Sequence, residues 1–175
     1  MNRTFLVYLE DQPGALNRVV SLIRARAYNI ESLSTGQTHV SGLHRMTLVV
    51  RANADQGRRI EANLYKCVNV LQVADITERQ SVRRVLALYK IRTTPETRAD
   101  IVRIGEEFQA RVVDIGDTAL IFEVSGTPEK IEAMGEQMVP FGILEHVRTG
   151  IAAMTRASDP ADAAPAIDLT DLFVA

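Results

Sequence analysis

The sequence predicts an α+β protein built from two βαββαβ sandwiches in tandem. Three observations carry that prediction. Short apolar, β-branched runs alternate with stretches whose apolar residues recur at helical spacing. The order in which they do so (strand, helix, strand, strand, helix, strand) occurs twice, offset by about 80 residues. The length of 175 residues, 46% hydrophobic and 24% charged, is ordinary globular composition with room for two small domains.

In the first unit, Arg3–Leu9 (RTFLVYL) is apolar at successive positions and reads as a strand buried on both faces. From Pro13 the period changes: Leu16, Val19, Val20, Ile23 and Ala27 form a helical stripe, with Asn17, Arg18, Arg24 and Arg26 turned away. Asn29–Thr38 and Arg45–Arg51 alternate, and the polar 40–42 between them marks a hairpin. Ile60, Leu64 and Cys67 share one face of a helix over Asp55–Cys67, and Val70–Ile76 closes the unit as a strand.

The second unit repeats the order. Val85–Ile91 is a strand, and Thr94-Pro95-Glu96 starts a helix with Pro near its first position and a stripe of Ile101, Ile104 and Phe108. Arg111–Ile115 and Ala119–Val124 flank Gly116-Asp117, a tight hairpin signal. Thr127-Pro128-Glu129 opens a helix carrying Ile131, Met134 and Met138, and Leu144–Ile151 ends the unit. Two ferredoxin-like sandwiches follow, residues 1–77 and 78–157. Residues 158–175, rich in Ala, Asp and Pro, read as a disordered tail, with IDLTDLFVA as a short apolar segment at its end. The apolarity of FLVYL and VLALYKI on both faces exceeds what a small isolated sandwich needs and points to at least a homodimer.

Composition and motifs exclude several function classes. A formal net charge of -2 leaves no electrostatic footprint for nucleic acid. The middle strands carry no stacking aromatics for RNA, and no helix-turn-helix pattern is present. One cysteine, Cys67, precludes an internal disulfide, and His39, His44, His146 and Cys67 have no chelating spacing, so no metal site is expected. No apolar run approaches the roughly 18 residues that span a bilayer, and no signal peptide is evident. A cytoplasmic protein without membrane association is the expectation. Neither a Ser/His/Asp nor a Cys/His constellation nor a phosphate loop is seen, and no catalytic residue is assigned.

The joint between the first strand and helix, Asp11-Gln12-Pro13-Gly14, is the chemically suggestive stretch. The first N–H groups of a helix lack partners and carry partial positive charge, so a carboxylate is stabilised there. Gly14 has no Cβ and permits close approach, and Pro13 presets the helical φ. Asp11 has two possible jobs, as a cap for the helix or as the partner of a ligand's ammonium group. A zwitterionic amino acid would satisfy both halves, its ammonium on Asp11 or on a side-chain amide such as Asn29.

These residues also carry a family resemblance. Leu9-Glu10-Asp11, Gly14-Ala15-Leu16, Arg18-Val19, Tyr28-Asn29-Ile30-Glu31-Ser32-Leu33 and Arg45-Met46-Thr47 resemble the signature of the small, regulatory subunits of acetolactate synthase (acetohydroxyacid synthase). The resemblance covers about residues 1–157 and is looser in the second unit. It implies that the first unit is an ACT domain, an amino-acid-sensing module, and the second a ferredoxin-like domain. Paired ACT domains of a homodimer or larger assembly would bind a feedback inhibitor, valine or another branched-chain amino acid. The implied site is Asp11, Gln12, Pro13, Gly14, Ala15 and Leu16 of one chain, facing Asn29 and Ile30 of the other. The implied partner is the catalytic large subunit, which would carry thiamine diphosphate, Mg and FAD, with no cofactor in this chain. A free-standing ACT-type sensor is the alternative. Thr35-Gly36-Gln37, Ala27, Asp11 and the two histidines of HVSGLH depart from the common family pattern.

Overall fold

The computed structural model describes residues 1–158. The expected tail therefore lies, apart from Ser158, outside the described residues. The chain forms two compact units: Met1–Val82 with the segment from Ala153, and Arg83–Ala152. The first sheet has four strands and the second five, each flanked by two helices in the order βαββαβ, so the doubled reading holds.

The first unit comprises Asn2–Glu10 (β1), Ala15–Ala25 (α1), Ile30–Gln37 (β2), Leu43–Arg51 (β3), Ala54–Leu64 (α2) and Val70–Asp75 (β4), with sheet order β2-β3-β1-β4. Two-residue periodicity turns Phe5, Val7 and Leu9 of β1 and Met46, Leu48 and Val50 of β3 to one face. There they pack with Val19 and Ile23 of α1 and Ile60 and Leu64 of α2. The other face of β1 is buried too, at Thr4 and Leu6. The returning segment contributes to that cover: Ala153 donates its N–H to Thr47 Oγ1 and accepts from the Arg45 guanidinium. The double-faced apolarity of FLVYL thus belongs to a central strand; the sheet edges are β2 and β4.

Helix starts follow local chemistry. Asn53 and Gln56 form a reciprocal capping box for α2, with Asn53 Oδ1 accepting from Gln56 N at 2.9 Å and Gln56 Oε1 from Asn53 N at 2.8 Å. Two expected starts shift. Gly14 has φ +85°, which a helix cannot contain, so α1 begins at Ala15 and Pro13 lies in the preceding turn. Thr94 and Thr97 bond each other across a turn that holds Pro95, and the next helix begins at Arg98.

The second unit comprises Ser81–Arg92 (β5), Arg98–Glu107 (α3), Arg111–Ile115 (β6), Ala119–Gly126 (β7), Pro128–Met138 (α4) and Ile143–Arg148 (β8), with order β6-β7-β5-β8. Ala152–Thr155 (β9), a strand too short to leave a period in the sequence, pairs with β5. Tyr89, Ile91 and Phe122 bury against Ile101 of α3 and Ile131, Met134 and Met138 of α4. Like β1, β5 is central; its second face is less covered, with Leu86 and Leu88 exposed.

A charged cluster sits under α2 in the first unit. Arg3, a buried side chain, donates from Nε and Nη2 to Asp75 Oδ2 at 2.8 and 2.6 Å. Desolvation, and secondarily the Asp75 carboxylate, push the nearby Glu61 carboxyl above its usual range, with Arg3 opposing. The folded chain therefore holds the Glu61 proton more tightly than the unfolded chain. Between the ordinary carboxylate pKa and the raised one, stability falls as pH rises. Glu61→Gln is expected to raise the melting temperature at pH 7, with the gain shrinking as pH drops from the raised pKa toward the ordinary carboxylate value. Melting curves of both proteins from pH 4 to 8 check this; a gain independent of pH would assign the effect to something other than ionisation.

Candidate functional site

The β1–α1 joint is held by backbone bonds that leave one helix end open. Asp11 N donates to Gly42 O at 2.8 Å, Gln12 N to Glu10 O at 2.9 Å and Ala15 N to Gln12 O at 3.1 Å. No side chain caps α1, so the N–H groups of Leu16 and Asn17 find no acceptor among the described residues. Asp11 therefore does not cap α1. A Cβ built on Gly14 would meet nothing within 4 Å, so the space in front of the helix end is clear. Gln12, Pro13, Gly14 and Leu16 are exposed, while Ala15 is buried and anchors the first turn in the core.

Under the joint lies a network that periodicity does not reveal. Asn69, at the entry to β4, accepts Glu10 N on its carbonyl at 3.0 Å and donates Nδ2 to Glu10 Oε2 at 2.8 Å. Its Oδ1 accepts from Arg18 Nη1 of α1. Strand end, helix and β4 are thus tied at one buried amide. His44, the second residue of β3, brings Nε2 to 3.5 Å from Asp11 Oδ1. The sequence marks His44 only as one of the two unusual histidines of HVSGLH, yet its side chain is largely buried.

Asn29 and Ile30 lie elsewhere. Ile30 pairs with Val50 on β3, whereas Gln37, at the other end of β2, pairs with His44. At about 3.3 Å per residue, the six positions from His44 to Val50 span about 20 Å. One chain therefore does not bring Asn29 to its own Gly14. Asn29 Nδ2 donates to Glu31 Oε1 at 2.7 Å, and Glu31 also pairs with Arg51 at 2.9 Å, which fixes the amide and leaves Asn29 Oδ1 as an acceptor. Ile30 packs partly against the core.

Among the described residues no group of three His, Cys, Asp or Glu side chains is placed to hold a metal ion. No helix of the described residues is long and apolar enough to cross a membrane.

Residues 5–72 match the AHAS small subunit-like ACT domain, and residues 84–157 match the family described as the small subunit of acetolactate synthase. The chain is 39% identical over 153 residues to the acetolactate synthase small subunit of Mycolicibacterium smegmatis, covering 87% of this chain and 90% of that one. It is 39% identical over 157 residues to the Bacillus subtilis small subunit, covering 89% and 91%. The crystal structure of the Thermotoga maritima small subunit superposes with a TM-score of 0.83 at 29% identity, covering 89% of this chain and 98% of that chain. Two units of the same order, in the same sequence along nearly the whole length, leave one assignment: the chain belongs to the acetolactate synthase small-subunit family.

Proposed function

We propose that this chain is the regulatory partner of an acetolactate synthase catalytic subunit, and that residues 11–16 form half of an amino-acid effector site completed by a second copy. The observation that carries the reading is the uncapped end of α1, open in front of Gly14. The other half follows from topology. β2 is the outer strand of its sheet, the position from which a strand pairs with a second copy. Antiparallel pairing of β2 with its copy, about a twofold axis near the strand's middle, sets the start of one β2 beside the end of the other. The partner's Asn29 and the partner's Ile30 then approach Gln37 and Thr38, whose N–H bonds Leu43 O next to the Gly42 carbonyl that holds Asp11. A twofold interface of this kind is self-complementary and yields two equal sites.

In this site the effector's carboxylate accepts from Leu16 and Asn17 N–H, and its ammonium faces the Asp11 carboxylate and the partner's Asn29. Valine, leucine and isoleucine differ by a methylene or its branching. A pocket separates such side chains by only about 1–3 kcal/mol, so all three are expected to compete. Catalysis, with thiamine diphosphate, magnesium and FAD, belongs to the large subunit. This chain contributes activation and, through the effector, a coupling free energy of about 1–3 kcal/mol that lowers activity again.

Calorimetric titration with L-valine, L-leucine, L-isoleucine and L-aspartate tests this, on the chain alone and in complex with the catalytic subunit. Saturable branched-chain binding near one site per chain, with none for aspartate, is expected. Absence of binding in both states would sink the effector reading. Asn29→Ala is expected to raise the half-inhibiting valine concentration about tenfold, as for a lost hydrogen bond to a charged group. An unchanged value would remove the cross-chain half from the site.

A further inference from the structure

We infer that His44 is an effector-contacting residue, its Nε2 joining Asp11 as a second acceptor for the effector's ammonium group. The inference rests on the effector reading above and deepens it. β3 register puts His44 opposite Leu9 of β1 and Gln37 of β2, at the end of the sheet where the β1–α1 joint lies. Two-residue alternation gives it the face of Met46 and Leu48, the face that the helices cover. Its Nε2 is buried, yet no hydrogen-bond partner reaches it among the described residues. Asp11 Oδ1 lies 3.5 Å from it, beyond ordinary hydrogen-bond length.

A buried polar nitrogen without a partner is unfavourable, and native sites that retain one commonly complete it with a ligand or water. With the imidazole proton on Nδ1, Nε2 is an acceptor, and so is the Asp11 carboxylate. In that tautomer the two acceptors do not bond each other, and a shared donor would satisfy both. A primary ammonium carries three N–H groups on one compact centre. It can donate one to Asp11, one to His44 Nε2 and the third to Oδ1 of the partner's Asn29. A carboxylate ligand without the amino group has nothing to offer this corner. His44 thus selects for the amino group itself, while the helix end takes the carboxylate.

The test is a cycle between ligand and residue. L-valine and 3-methylbutanoate, the same molecule without its amino group, are titrated against the full chain and the His44→Leu variant, with melting curves to show that both fold. The expected result is an L-valine dissociation constant weakened about tenfold in His44→Leu, with 3-methylbutanoate unchanged within about twofold. His44→Gln, whose amide oxygen can accept, should recover part of the loss and serves as the readout should the leucine variant fold poorly. Equal losses for both ligands, or unchanged L-valine affinity in both variants, would overturn the role of His44 while leaving the effector site standing. Failure of the parent chain to bind L-valine, alone or in complex, would overturn both.

Discussion

Gly14→Asp is expected to abolish effector binding while leaving a folded subunit that still stimulates its catalytic partner. The backbone at Gly14 has φ +85°. Among side-chain-bearing residues, aspartate and asparagine enter this region most readily, at a strain on the order of 1–2 kcal/mol. The added Cβ has open space, with nothing within 4 Å, so no core contact is disturbed. What changes is the helix end. An aspartate at the N-cap can accept from the N–H groups of the first turn, here those of Leu16 and Asn17. It would thereby occupy the place of the effector carboxylate and add a second negative charge beside Asp11. Hydrogen bonds to charged groups contribute about 1.5–3 kcal/mol each, so losing two should weaken valine binding by at least about 100-fold. Gly14→Ala carries the backbone strain without the carboxylate and should keep measurable affinity. Parallel calorimetry and partner-activation assays separate the outcomes. A Gly14→Asp subunit as valine-sensitive as the parent would remove the helix end from the site.

Much of the architecture was legible because it is written in periods. Phe5, Val7 and Leu9, like Val19 and Ile23, sit at spacings that only one element type can bury together, and the doubled order is a repetition of such spacings. The errors fall where a single dihedral angle or a distant partner decides. Pro13 looks like a helix's first residue, but the positive φ of Gly14 moves the start to Ala15. Pro95 looks the same, and the Thr94–Thr97 turn delays the start to Arg98. The apolarity of FLVYL and VLALYKI on both faces points to an assembly surface, but it does not say whether a strand is central; sheet order does. Asp11 and Gly14 could be singled out from helix-end chemistry alone. Asn29 is named beside them as an amide for the ammonium, yet it lies at the opposite end of its own sheet, and its place facing another chain's Gly14 comes only through the family resemblance. Asn69 carries no periodic signal, and His44, though in step with Met46 and Leu48, is not marked out by that step; what each touches depends on which atoms lie beside it after folding.

The largest loss of stability is expected from Asp75→Ala. Asp75 Oδ2 accepts both bonds from Arg3, while Oδ1 accepts from Thr77 N at 2.9 Å and from its hydroxyl. Thr77 Oγ1 in turn accepts from Thr4 N at 3.0 Å, so one carboxylate connects β1, β4 and the chain leaving β4. The guanidinium has no easy escape. Gly57 of α2 lies against it so closely that a Cβ there would come within 2.3 Å of Arg3 Nε, and Nη1 is already buried without a partner. Removing Asp75 leaves that cation beneath α2 beside the Glu61 carboxyl, which burial has biased toward its neutral form. Breaking one side of a buried ion pair typically costs about 3–5 kcal/mol, which in a domain of this size lowers the melting temperature by on the order of 15 °C. Replacing both partners, as Arg3→Met with Asp75→Leu, removes the stranded charge and should recover most of the loss. Gly57→Ala should also destabilise, although alanine is the better helix former, because Arg3 must leave its bond to make room. Denaturant titrations of the four proteins decide the matter. A loss below about 1 kcal/mol in Asp75→Ala, or a double variant no more stable than the single one, would show that the pair contributes little and that the close packing around Gly57 has another cause.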